Sequence, residues 1–199
     1  FVDVLVHDEG ELSFSEILLA LLEGRSFSKV EGISYRSIEV PSGYITSEKR
    51  NEFIDLNDTP SPFLNGLYDQ LMDKYKKSVT GVVWETSRGC PYACTFCGWG
   101  KTDGRKIRKV DLDRLLEELE WMSKNEIYYV TSSDANFGIF YERDLTIIEK
   151  VASLCEKTGY PGYLTWSWQK NTNEKTVHMA DLLRRSGVKS STLISIQSF

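Results

Sequence analysis

No apolar run in the 199 residues approaches the roughly 18 to 20 needed to cross a bilayer, and no basic region precedes the opening Phe1 to Val6 stretch. The sequence therefore reads as neither a membrane span nor a secretory signal, and a cytoplasmic location without a membrane partner is expected. Positive charge is not in excess either. Lys and Arg number 24 against 29 Asp and Glu, a formal net charge of -5, so the electrostatic footprint of a duplex nucleic-acid binder is missing. There is no internal repeat and no low-complexity tract. Histidines number only two and cysteines four, and three of those cysteines are crowded into eight residues. That asymmetry argues against a disulfide framework and for a metal centre in a reducing compartment.

What is present is ordinary globular material: 41% hydrophobic and 27% charged residues, enough for a sizeable core in one or two domains. Val2 to Val6 reads as a strand, and Ser13-Phe14-Ser15-Glu16 offers a capping box for a helix. Its Ile17, Leu18, Leu21 and Leu22 share one face, with Gly24 as a stop. Ile33 to Arg36 and Gly43 to Thr46, joined through Pro41-Ser42-Gly43, read as a β-hairpin. Pro60 and Pro62 then mark a linker. Beyond it, extended and helical patterns alternate. Strands are expected at Gly81 to Glu85, Ile127 to Thr131, Tyr163 to Trp168 and Thr192 to Ile196, with helices at about 111–125, 144–158 and 174–186 between them. Strands separated by single helices predict parallel β/α units. Leu112, Leu115, Leu116, Leu119 and Met122 form the apolar stripe of the first helix.

The specific signal is Cys90-Pro91-Tyr92-Ala93-Cys94-Thr95-Phe96-Cys97, placed just after the first strand of the β/α region. A 4Fe-4S cube has four irons. Three thiolates would hold three of them and leave one open to a non-protein ligand, which implies chemistry at that iron. Zinc also takes thiolates but normally closes a tetrahedron of four ligands. A fourth is hard to find among His7, His178 and Cys155, the last at helical spacing with Leu145, Ile148 and Val151. A zinc-stabilised interaction module stands as the alternative of a different class.

The segment Cys90 to Cys97, with aromatic Phe96 before the last cysteine, resembles the signature of the radical S-adenosylmethionine (SAM) superfamily. Trp84-Glu85-Thr86-Ser87-Arg88-Gly89-Cys90-Pro91 resembles the branch of that superfamily whose members carry a cobalamin-binding domain. Arg105 to Arg108, Ser133-Asp134-Ala135-Asn136-Phe137-Gly138 and Ile194-Ser195-Ile196-Gln197-Ser198 look like later stretches of the same branch. The resemblance covers roughly residues 80–199. It implies an α/β fold, a partial (β/α) barrel over 75–199, preceded by the end of a cobalamin-type α/β domain over 1–30 and a hairpin and linker over 31–74. It also implies a 4Fe-4S cluster on Cys90, Cys94 and Cys97, with SAM chelating the open iron and cleaved by an electron from the cluster. Methylation or another carbon-centred modification fits the branch, with rearrangement or cyclisation as the alternative within the superfamily. Flavodoxin or ferredoxin is the implied electron donor. Cobalamin is implied for a longer parent protein only, since the cobalt-ligating His loop of the branch is absent and His7 does not match it.

Candidate cofactor contacts follow. Asp134 and Asn136 lie between a strand and a helix, at the end of parallel β/α units where ligands gather, although turn formation or capping would use the same residues. Gln197 and Ser198 are comparable candidates on the fourth strand, and Phe96 and Gly98 flank the last cysteine, Gly98 with backbone freedom suited to a loop around a cluster. The basic run Lys101 to Lys109 reads as a solvated loop, with an anion site or donor docking as the other reading. Trp99 is placed near the pocket, and Trp166 with Trp168 either point inward from the third strand or belong to the core.

Overall fold

The computed structural model describes residues 2–51, 54–76, 78–97 and 106–193. The chain divides into two compact units, Phe1–Asp58 and Thr59–Phe199.

In the first unit, β1 (Val4–Val6), β2 (Ile33–Arg36) and β3 (Tyr44–Thr46) form an antiparallel sheet in that order. The predicted hairpin is present, in the register Tyr35 to Ile45, and Gly43 takes the positive φ of 74° that its turn requires. Because β1 pairs with β2, the hairpin shares a sheet with the opening strand rather than serving as part of a linker. Helix α1 (Glu11–Leu22) packs through Ile17 against Val30 and Ile33, with Val4, Val6, Phe27 and Tyr35 around them.

Two expectations for α1 are corrected. The helix starts at Glu11 after Gly10, so Ser13 lies inside it and caps nothing. Its hydroxyl donates to Glu31 O at 2.8 Å and accepts from Arg50 Nε at 3.1 Å. The buried stripe is Ser13, Ile17 and Ala20, while Leu18, Leu21 and Leu22 are exposed. Leucine content misled because the face that packs on the sheet carries Ser13, Ile17 and Ala20 instead.

The second unit begins before the expected boundary near residue 75. Phe63 is buried and lies 5.4 Å from the Trp121 ring, and Arg114 Nη1 donates to Thr59 O at 2.7 Å. The segment containing α2 (Asp69–Tyr75) therefore packs on the β/α unit. The four predicted parallel strands are β4 (Gly81–Trp84), β7 (Tyr129–Ser132), β8 (Tyr163–Ser167) and β9 (Lys189–Leu193), hydrogen-bonded in that order. Between them run α3 (Leu112–Lys124), α4 (Tyr141–Thr158) and α5 (Glu174–Arg185). Strand order following chain order, with one helix per crossover, is the singly wound arrangement of a barrel, and here the sheet is open. The ends of the helices carry their own signals. Asn173 Oδ1 accepts from Lys175 N and Thr176 N to cap α5, and Gly159 at φ 83° ends α4.

β9 starts three residues earlier than expected. Gly187, at φ 85°, turns the chain out of α5, and Lys189 N at once donates to Gly162 O. The polar residues Lys189-Ser190-Ser191 lack a strand's hydrophobic period. Two short strands had no sequence signal. β5 (Ser87–Arg88) pairs antiparallel with β6 (Arg108–Lys109), too short to show periodicity, and pinches the base of the segment that carries the three cysteines.

One face of the main sheet is covered by helices and holds the core: Trp84, Val130, Leu164 and Trp166 are all buried. On the other face Val83 is 69% and Tyr129 48% exposed. Trp166 shares parity with Leu164 and stacks on Phe137 at 3.9 Å. Trp168 meets Phe137 edge-on at 5.7 Å. Both tryptophans are thus core, and the inward reading is set aside. No described helix is long and apolar enough to cross a membrane.

Candidate functional site: three thiols at the C-terminal end of the sheet

The cysteine segment leaves β4 through Glu85 and Thr86, passes the short strand β5, and turns at Gly89, whose φ of 114° suits only glycine. This puts Cys90 beyond the C-terminal end of a parallel strand, where the following loops of β7 and β8 also arrive. Both loops reach the cysteines. From the β7 end, Asn136 Nδ2 donates to Cys90 Sγ at 3.2 Å. From the β8 end, Lys170 Nζ donates to Cys94 Sγ at 2.7 Å and lies 5.1 Å from the centre of the Tyr92 ring. Cys97 N donates to Cys94 O at 3.2 Å, a turn that brings the last two cysteines together. Lys170 is held above its ordinary pKa first by the hydrogen bond to Cys94 and further by the charges of Cys94, Cys90 and Cys97.

Asp134 is buried and braces the approach to Cys90. Its carboxylate accepts from Thr86 N at 2.8 Å, Ser87 N at 3.1 Å, Ser87 Oγ at 3.2 Å and the Thr86 hydroxyl. Burial nevertheless pushes its pKa up, because removing the charged form from water outweighs those donors. Arg143, in the first turn of α4, closes the arrangement from behind. Its Nη2 donates to Thr86 O at 2.5 Å and its Nη1 to Asp144 Oδ1 at 2.7 Å. Asp144 in turn accepts from Gly138 N and Phe140 N.

The structure therefore brings together Cys90, Cys94, Cys97, Asp134 and Asn136 among the predicted residues. Phe96 is 77% exposed. Gly98, Trp99, Gly100, Gly104, Gln197, Ser198 and the run Lys101 to Arg105 lie outside the described residues. Sequence reasoning missed Lys170 and Arg143. Lys170 follows a strand at the ligand-gathering end of the sheet, which was a usable signal. Arg143 looked like any helix-surface cation.

The donor set fits an iron-sulfur cube. All four cysteines are free thiols, and a cube takes one thiolate per iron, so the three sulfurs need to surround a cluster rather than converge on a point. Among the described residues no three His, Cys, Asp or Glu groups are arranged around a single ion. The possible fourth zinc ligands are engaged elsewhere: His7 Nε2 meets Ser34 Oγ at 2.8 Å, and His178 Nδ1 meets the Tyr141 hydroxyl at 3.0 Å. Cys155 is half-buried on α4 rather than in its core stripe. Asn136 Oδ1, on the side chain whose Nδ2 donates to Cys90 Sγ, is buried without a hydrogen-bond partner, an acceptor of the kind a polar ligand would use.

An open, singly wound β/α sheet with three thiols at its C-terminal end defines the class of enzymes that hold a cluster at the mouth of a partial barrel. The family model of the radical SAM superfamily matches residues 84–199, and the chain belongs to that superfamily. It is 35% identical over 207 residues to the cobalamin-dependent radical SAM methyltransferase TokK of Streptomyces tokunonensis, covering 100% of this chain and 29% of that protein. It is 37% identical over 208 residues to the 2-(S-pantetheinyl)-carbapenam-3-carboxylate methyltransferase of Streptantibioticus cattleyicolor, with the same two coverages. The fold is similar to that of the radical S-adenosylmethionine methyltransferase TsrM from Kitasatospora setae, solved with cobalamin and a 4Fe-4S cluster bound. That likeness has a TM-score of 0.63 at 17% identity, over 98% of this chain and 38% of that one. The chain thus spans less than a third of the length of these two curated relatives.

Proposed function

We propose that the complete protein is a cobalamin-dependent radical SAM methyltransferase, and that this chain supplies its cluster site. The observation that carries the reading is the meeting of three free thiols with donors from two neighbouring strand ends, Asn136 on Cys90 and Lys170 on Cys94. Cys90, Cys94 and Cys97 would hold three irons of a 4Fe-4S cluster. Such a cluster would supply the electron for reductive cleavage of SAM. Asn136 Oδ1, buried and unpaired, is an acceptor available to an N–H of the SAM amino group. Asp134 has its oxygens engaged by Thr86 and Ser87, so its part is to fix the path of the chain into Cys90. Residues 1–30 read as the end of a cobalamin-binding domain, and a small redox protein in the cytoplasm would deliver the electron.

The experiment is anaerobic reconstitution of the wild type and of a variant with Cys90, Cys94 and Cys97 all replaced by Ala. About four irons and four sulfides in the wild type alone, and 5'-deoxyadenosine formed from SAM under reduction in the full-length protein, are the expected results. Stoichiometric zinc in a folded wild type that refuses iron would replace this reading with the interaction module.

A further inference from the structure

The two sulfur contacts differ in kind. Asn136 gives Cys90 a neutral amide donor, whereas Lys170 gives Cys94 a charged one, at 2.7 Å and half-buried against the Tyr92 ring. Hydrogen bonds to cluster sulfurs and nearby charge are the protein's main means of setting an iron-sulfur potential. Reduction adds one negative charge to a cluster, so a cation beside a ligand sulfur stabilises the reduced form more than the oxidised one. We propose that Lys170 is a positioning residue that donates to the Cys94 thiolate of the bound cluster and raises its reduction potential, easing electron entry from the donor. The inference rests on the cluster reading given above.

Lys170 suits this task by its place in the fold. It lies two residues beyond Trp168, which is buried and tied to Phe137 by a backbone bridge. Gln169 N donates to Phe137 O at 2.9 Å. The base of the side chain is therefore anchored to the core while the ammonium reaches the cysteine loop. Among the described residues the hydrogen-bond donor to Cys90 is the neutral amide of Asn136, from the loop after β7.

The test is a potentiometric titration of the reconstituted protein, followed by electron paramagnetic resonance in the absence of SAM, for the wild type, K170M, K170Q and K170R. Omitting SAM matters, because a lysine that acted only by binding the SAM carboxylate would leave this readout unmoved. Iron and sulfide contents are measured on the same samples. The proposal expects K170M and K170Q to carry the cluster with a lower midpoint. At a fixed potential their ratio of reduced to oxidised cluster should fall about tenfold, which is 59 mV for one electron. K170R, which keeps charge and donor, should stay near the wild type. Neutral variants that load the cluster and titrate like the wild type would overturn the Lys170 role and leave the cluster reading intact. So would neutral variants that cannot load it while K170R can, since the cation would then serve assembly rather than potential. A wild type that takes up no iron and sulfide would overturn the cluster reading itself.

Discussion

Asp134 and Thr86 meet across the ends of β7 and β4, the carboxylate accepting both the backbone N–H of Thr86, at 2.8 Å, and its hydroxyl. The two strands are already paired through Trp84 and Ser132, so this contact extends the pairing into the loop that leads to Cys90. Ser87 adds its own N–H and hydroxyl to the same carboxylate. The bracing depends on ionisation in a way that can be measured.

Burial raises the Asp134 pKa above its ordinary 3.8. Between that value and the raised one, the native state holds a proton that the unfolded chain has released. Stability therefore falls as pH rises through this window and stays lower above it. Asn at 134 cannot titrate, and its amide group would face N–H donors, an overall cost of about 1–3 kcal/mol. Urea denaturation of wild type and D134N over a pH series should show the advantage of the wild type shrinking as pH rises from about 4. Asp144, also raised by burial, is common to both proteins and cancels in the difference. Parallel curves for the two proteins would show that Asp134 keeps its charge throughout.

Arg143 is the second brace. Its removal would leave Asp144, whose side chain is 2% exposed, without its cation, and Thr86 O without the 2.5 Å donor. Deleting one partner of a buried ion pair costs about 3–5 kcal/mol because the other charge stays behind. R143A should therefore lose about 3 kcal/mol in chemical denaturation, and R143K should recover part of it, since an ammonium cannot span the two acceptors as a guanidinium fork does. Equal losses in both variants would show that the fork geometry carries the whole effect. A loss below about 0.5 kcal/mol, the usual size for a surface substitution, would remove the brace.

The alternation of strands and helices was legible from residue 81 onward because each helix carries a stripe and each strand a short apolar run. Trp84, Val130 and Leu164 announce the covered face of the sheet, and Leu115, Leu119 and Met122 the helix above it. The cysteine motif was legible because its spacing is local. What stayed hidden depends on long-range geometry. The ribbon of Ser87-Arg88 with Arg108-Lys109 is two residues wide and joins segments 20 positions apart. Lys170 meets Cys94 across 76 positions, and Arg143 meets Thr86 across 57, so neither pairing leaves a periodic trace. Leu18, Leu21 and Leu22 misled in the opposite sense, an apolar stripe that the described residues leave exposed.

Glu118 is a buried acid on the apolar side of α3, where periodicity would place a hydrophobic residue, and its partners explain it. Trp84 Nε1 donates to Oε2 at 2.6 Å and Arg114 Nε to Oε1 at 2.9 Å. Arg114 continues to Thr59 O. The carboxylate therefore joins the first strand of the sheet to its covering helix and to the segment before it. E118A would bury the Trp84 indole N–H without an acceptor and remove the carboxylate that Arg114 Nε donates to, for a loss of about 3 kcal/mol. E118Q keeps an acceptor for one donor and should lose less. Combining E118A with W84F, which removes the indole N–H, should cost less than the sum of the single changes by about 0.5–3 kcal/mol, since both act through one contact. Strict additivity in that cycle would mean that Trp84 and Glu118 stabilise the unit independently, through their separate packing on Trp166 and Arg114.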